Sequence, residues 1–155
     1  MLTSEVVPGE SYSFKIRAAN IHGFGDFSSV VSIKAAGIPS KVETVVTSID
    51  PATGGVKIDW ETPHDGQQSI TDYMITIANQ SGSLMIEDWN NCGGNDVSST
   101  YCIMPMDTLI DDPYDLLFGD TVIAQVTAYN LYGPGPSSDL NTVGAMVRRV
   151  PDQMS

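Results

Sequence analysis

Cations are what this 155-residue chain has least of: seven Lys and Arg stand against nineteen Asp and Glu, for a formal net charge of −12. Between Ile58 and Val147 there is no Lys or Arg at all, while thirteen Asp and Glu fall in that stretch. Nucleic acid is excluded as a partner, because phosphate binding needs clustered Lys and Arg. The stretch also cannot cohere through salt bridges of its own. Its acidity reads as a solubilising surface, with attraction of Ca²⁺ or a basic partner as the sharper alternative. No apolar run approaches the roughly 18 residues of a membrane span, so no membrane insertion is expected of this segment. Met1-Leu2-Thr3-Ser4-Glu5 has neither the basic head nor the apolar stretch of a secretory signal.

Catalytic patterns are missing as well. There is no Gly-x-Ser-x-Gly, no His-Glu-x-x-His and no phosphate-cradling glycine loop. Gly23-Phe24-Gly25 and Gly133-Pro134-Gly135 are followed by no helix, so they are loop glycines rather than a nucleotide fingerprint. His64 beside Asp65 reads as a turn pair. With His22 in another loop and the two cysteines lacking close ligand spacing, zinc is excluded. The Arg-Gly-Asp tripeptide of adhesive proteins is absent. A non-enzymatic protein is expected, with no resident cofactor.

What the sequence does hold is an internal repeat. At a constant offset of 110, Gly9, Ala18, Asn20, Gly23 and Gly25 match Gly119, Ala128, Asn130, Gly133 and Gly135. Each copy alternates apolar residues at every second place: Tyr12, Phe14, Ile16 and Ala18, then Val122, Ala124, Val126 and Ala128. Period two predicts a half-buried strand, and the glycines that follow permit the turn into a partner strand. Between the copies lie further strand signals. Lys41–Ile49 is rich in Val and Thr. Val56, Ile58 and Trp60 share one face of the next segment, with Lys57 and Asp59 opposite. Pro63 and Asp65-Gly66 predict a turn. Ile70–Ala78 brings Tyr73, Ile75 and Ile77 to one face, and Leu84–Trp89 and Ser98–Met104 read as shorter strands. Residues 107–120 predict a turn or one short helical turn. Seven strand signals without a sustained helical period predict an all-β antiparallel sandwich, with a linker near Gly37-Ile38-Pro39.

At these residues the chain resembles the fibronectin type III domain, an immunoglobulin-like fold. Val6-Val7-Pro8-Gly9-Glu10-Ser11-Tyr12 resembles that family's turn into its sixth strand, with Tyr12 as the corner tyrosine, and residues 14–25 resemble that strand and its loop. Trp60 is placed like the family's core tryptophan, and Pro63, Ile70 and Tyr73 follow as in its turn and third strand. The resemblance implies a partial domain over residues 1–37, with the last two strands only, and a complete one over 38–150. Residues 82–119 form an insertion longer than usual. Val122 stands where the second corner tyrosine belongs, so that copy is expected to lack the hydroxyl tether. The implied function is a structural, adhesion or protein-interaction module of a larger tandem protein. Its expected partners are another protein or neighbouring domains of the same array.

Candidate residues follow. Trp60, Tyr73, Ile58, Ile75 and Val126 are expected in the core. Cys92 and Cys102 read as a disulfide, since both fall in a polar insertion, and a bridge implies an oxidising, extracellular setting. Two buried thiols in a cytoplasmic scaffold are the alternative. Asp107, Asp111, Asp112, Asp115 and Asp120 place five carboxylates in fourteen residues. Ca²⁺ takes six to eight oxygens, yet the EF-hand spacing is absent, so a solvated loop competes with a Ca²⁺-dependent binding module. Trp89, in Glu87-Asp88-Trp89-Asn90, is a possible contact for a partner or for sugar, as in a carbohydrate-binding accessory domain. Asn79-Gln80-Ser81 fits the N-glycosylation pattern.

Overall fold

Period two gives an antiparallel hairpin at the start of the chain, and seven more strands with one helical turn beyond it. The computed structural model describes residues 5–82, 85–87, 90–93 and 96–149. Strands β1 (Ser11–Phe14), β2 (Ala19–Asn20), β3 (Gly23–Phe24) and β4 (Val31–Lys34) make the hairpin, β1 pairing with β4 and β2 with β3. After the linker come β5 (Val45–Ile49), β6 (Val56–Trp60), β7 (Ile70–Ala78), β8 (Met85–Glu87), β9 (Tyr101–Met104), the short helix α1 (Met106–Ile110), β10 (Ala124–Asn130) and β11 (Gly133–Pro134). They form two antiparallel sheets, ordered β5-β6-β9 and β11-β10-β7-β8.

The alternating residues of the two sheets meet between them. Val56, Ile58 and Trp60 from β6 are buried against Tyr73, Ile75 and Ile77 from β7 and Val122, Ala124, Val126 and Ala128 at and before β10. Lys57 and Asp59 stay on the outer face, paired with each other at 2.5 Å. The Trp60 and Tyr73 rings lie 5.2 Å apart, inclined at 58°, within the range where tilted aromatic pairs attract. The indole Nε1–H of Trp60 is buried and meets no acceptor among the described residues.

One edge of the sandwich is sealed by a polar seam. Thr47 is buried in β5; its hydroxyl donates to the Val122 carbonyl at 3.2 Å and accepts the Ala145 N–H at 3.0 Å. Asn141 adds a donor to Val122 O at 2.9 Å and an acceptor to Ala124 N at 2.7 Å. The approach is so close that a Cβ at Gly144 would collide with the Thr47 hydroxyl. Ala145 and Val147 thereby bridge the two sheets, bonding Thr47 on one side and Asp120 and Val122 on the other.

Three expectations are corrected. First, the alternation in β1 does not produce burial: Phe14 is 54% and Ile16 76% exposed, and Val31 and Ile33 opposite them are exposed too. Two strands have no second sheet to lie on. Second, the cysteines are not both in a polar loop. Cys102 sits in β9 opposite Ile58, and Cys92 is buried in the core cluster; their Cα atoms are 5.3 Å apart across the disulfide. Third, the strand expected from Ser98 starts at Tyr101, because the Asp96 carboxylate takes the Ser98 amide and the Ser98 and Ser99 hydroxyls into a local turn. Trp89 lies outside the described residues.

Charge follows the sequence. The second described ion pair, Lys41–Asp139 at 2.6 Å, like Lys57–Asp59, takes its cation from before the Ile58–Val147 stretch.

Candidate functional site

The repeat is a repeat of hydrogen bonds. Ser28 Oγ accepts the Ile16 N–H at 3.1 Å and Ser138 Oγ accepts the Val126 N–H at 3.0 Å. Asn20 Oδ1 takes the His22 amide and Asn130 Oδ1 the Tyr132 amide, each at 2.8 Å. Gly25 N donates to Ala18 O as Gly135 N does to Ala128 O, and Glu10 N to Val7 O as Asp120 N does to Leu117 O. Gly9 and Gly119 share a left-handed φ, +91° and +89°. Residues 7–28 and 117–138 are one structure built twice, once uncovered and once packed.

The missing corner tyrosine has a substitute. Tyr12 holds the Val7 N–H through its hydroxyl at 2.8 Å. The equivalent Leu117 N–H is taken, also at 2.8 Å, by the Asp120 carboxylate. The second copy lacks the hydroxyl, as expected, but not the tether.

Where hairpin and sandwich meet, polar groups converge on the linker. Asn130 is buried at the end of β10, and its amide donates to Gly37 O at 2.7 Å and Asp65 O at 2.9 Å, with Gln68 O at 3.3 Å. Gly37 N donates to Gly66 O at 2.9 Å and Ser40 N to His64 O at 2.8 Å. The turn holding these carbonyls is shaped by Gly66 (φ +69°) and Gln67 (φ +67°), and by the Gly66 N–H on His64 Nδ1 at 3.1 Å. A Cβ at Gly66 would strike the Gly37 and Ile38 carbonyls, and one at Gly135 would stand 2.5 Å from Pro39 O. Gly9 of the hairpin faces the Gln67 side chain, 3.7 Å from where its Cβ would be. The Asn130 side chain alone binds the linker, the turn after β6 and the loop after β10. This arrangement positions rather than reacts; it fixes the direction in which the linker leaves the sandwich.

The other candidates are placed apart from it. Trp60, Tyr73, Ile58, Ile75 and Val126 are all buried in the sandwich core. Asn79 follows β7 half-buried, its side-chain Oδ1 accepting the Ser81 hydroxyl at 2.7 Å. Asp107 lies in the first turn of α1, while the Asp111 carbonyl accepts the amides of Tyr114 and Asp115. Among the described residues, no three His, Cys, Asp or Glu side chains gather to hold a metal ion, so Asp107, Asp111, Asp112 and Asp115 form no such group. Two other carboxylates are electrostatically distinct. Asp50 is held below the usual carboxylate range by the Thr53 hydroxyl and amide, and Asp96 likewise by the Ser98 hydroxyl and amide. The Lys41 and Lys57 ammonium groups are raised, foremost by their hydrogen bonds to Asp139 and Asp59.

Sequence reasoning missed Thr47, Asn141 and the donors of Asn130. Asn130 did carry a signal, its recurrence as Asn20 in the repeat.

No family model matches the chain. Over 84 residues, 54% of its length, it is 34% identical to the human fibronectin type-III domain-containing protein 3A, of which it spans 7%. It is 23% identical to human host cell factor 2 over 95% of the chain and 19% of that protein. Among solved structures it is similar to the sixth fibronectin type III domain of the human domain-containing protein 3, at 17% identity and TM-score 0.53, covering 78% of this chain and 98% of that one. The FN1–FN3 domains of chicken CNTN1 match at 16% identity and TM-score 0.51, covering 87% of this chain and 42% of theirs. The chain is similar to fibronectin type III domains, and its fold is their all-β sandwich.

Proposed function

We propose that the chain is a structural and protein-interaction module of a tandem array, in which residues 5–36 close one sandwich and residues 39–149 make the next. One observation carries this: the hairpin repeats the hydrogen bonds of the packed copy while its apolar face stands uncovered. In the packed copy the matching face lies on β5-β6-β9, so the cover the hairpin fits is a three-stranded sheet of that kind. The junction at Asn130 then sets the angle between successive sandwiches. The Cys92–Cys102 bridge favours an oxidising compartment over a cytoplasmic scaffold.

Paired substitutions in the full chain test the reading. Ile16 and Val126 hold the same place in the repeat, 76% and 0% exposed. Ile16→Ala is expected to change the unfolding free energy by less than about 0.5 kcal/mol, and Val126→Ala to lower it by about 2–3 kcal/mol. Equal losses at both positions would show that the hairpin is packed within this chain and overturn the reading.

A further inference from the structure

We propose that the Leu117–Phe118–Gly119 turn, with Arg148 beside it, is a second docking seat, whose occupant is the acidic glycine turn of another sandwich of this fold. The inference rests on the tandem reading and adds the surface and the chemistry of the next contact.

The repeat places the seat. In the first copy, Gly9 N donates to Ala35 O at 2.8 Å and Ala35 N to Glu10 O at 2.8 Å. In the second, Gly119 N donates to Val147 O at 3.0 Å and Val147 N to Asp120 O at 2.9 Å. Ala35 and Val147 are therefore structural equivalents, and the chain leaves both turns in the same way. Beyond Ala35 the first exit runs into Gly37, which is bonded to Gly66, and Gly9 lies against Gln67. That turn is occupied by the pole of a sandwich carrying Asp65, Gly66 and Gln67. At its counterpart, no described residue lies within 4 Å of where a Cβ on Gly119 would stand.

What stands there is suited to an occupant. Leu117 is 58%, Phe118 71% and Met146 54% exposed, an apolar patch on an otherwise acidic sandwich. Beside it runs a groove of about 440 Å³ lined by Ile49, Phe118, Gly119, Met146, Val147 and Arg148. Phe118 takes the place of Pro8, Met146 that of Lys34 and Arg148 that of Ala36, so this seat has more apolar area and carries its cation two residues later. Arg148 and Arg149 are the only cations after Lys57. A pole such as that around Asp65, from a stretch with thirteen acids and no base, complements Arg148, the one of the two that lines this groove. Arg148 gives this seat electrostatic selection of an acidic neighbour.

The test joins residues 1–148 to residues 37–155 of a second copy, so that Gly37 follows Arg148 as it follows Ala36. Residual dipolar couplings then report whether the two sandwiches share one alignment, and nuclear Overhauser contacts whether the Phe118 ring meets the added Gln67. A shared alignment with that contact is expected, lost on Phe118→Asp and weakened by added salt. Because Phe118 is exposed, the variant's melting temperature is expected to hold, which separates lost docking from lost folding. If the two sandwiches align independently while the hairpin and its own sandwich stay aligned, the seat is refuted and the junction survives. If hairpin and sandwich are independent too, the tandem reading falls with it. Concentration-dependent association of the unjoined chain, abolished by Phe118→Ser, would assign the seat to a second copy instead and overturn the tandem occupant.

Discussion

Tyr12 and Asp120 do the same work with different chemistry: a phenol holds the Val7 N–H and a carboxylate the equivalent Leu117 N–H, both at 2.8 Å. The phenol reaches back five residues and the carboxylate three. Asp120→Ala leaves the Leu117 amide without its acceptor and is expected to lower the unfolding free energy by about 1–2 kcal/mol, with Asp120→Asn losing less because an amide oxygen still accepts. Tyr12→Phe, in the uncovered hairpin, is expected to leave the main transition in place. Urea unfolding of the three variants checks both statements.

Asn130 is the position where one side chain matters most. Asn130→Ala strands the Gly37 and Asp65 carbonyls and the Tyr132 amide at a buried site, with an expected loss of about 2–4 kcal/mol. Asn20→Ala removes only the acceptor of the His22 amide and is expected to cost under about 1 kcal/mol. Comparable losses in thermal melts would count against the junction as the junior copy's point of difference.

The disulfide closes a separation of ten residues. Its double replacement by Ser is expected to cost about 2.7 kcal/mol from loop entropy, with a further loss because Cys92 is buried among apolar side chains. Denaturant unfolding of the oxidised, reduced and double-Ser forms separates the two contributions: reduction alone removes the first.

At low pH the Thr53 and Ser98 hydroxyls set part of the response. Asp50 and Asp96 are held below the ordinary Asp value in the folded chain. A carboxyl depressed on folding binds fewer protons folded than unfolded, so its contribution is complete above the unfolded value of about 4 and fades as pH falls through the folded one. Asp96→Asn is expected to flatten the stability curve below about pH 4 while leaving its shape near neutrality unchanged. A pH series of melting temperatures for wild type and variant reads the difference directly.

Much of the fold could be read from period two. Val56, Ile58 and Trp60, and Tyr73, Ile75 and Ile77, lie inward as their parity predicts, and β7 runs Ile70–Ala78 as expected. Parity names the apolar face of a strand but not whether anything lies on it, and Phe14 and Ile16 show the difference. The polar seam was invisible for another reason. Thr47 and Asn141 are 94 residues apart, joined side chain to side chain and each bonded to the Val122 carbonyl, which no local spacing encodes. Asp120 was obscured because it replaces a tyrosine from two places earlier in the chain.

Two hairpins with one hydrogen-bond plan also compete in time. The first leaves the ribosome 110 residues before the second, a lead of roughly 5–20 s at ordinary synthesis rates and long against the microseconds a hairpin takes to form. β7 lies between them in the sequence, so the first hairpin precedes it and its own partner β10 follows it. Side-chain volume discriminates: the place beside Ile77 is filled by Ala124, with no exposed surface, where the early hairpin brings Phe14. A ring there overfills the space between the sheets. The place beside Ile77, sized to the Ala124 methyl, thus discriminates against the first hairpin through its Phe14 ring.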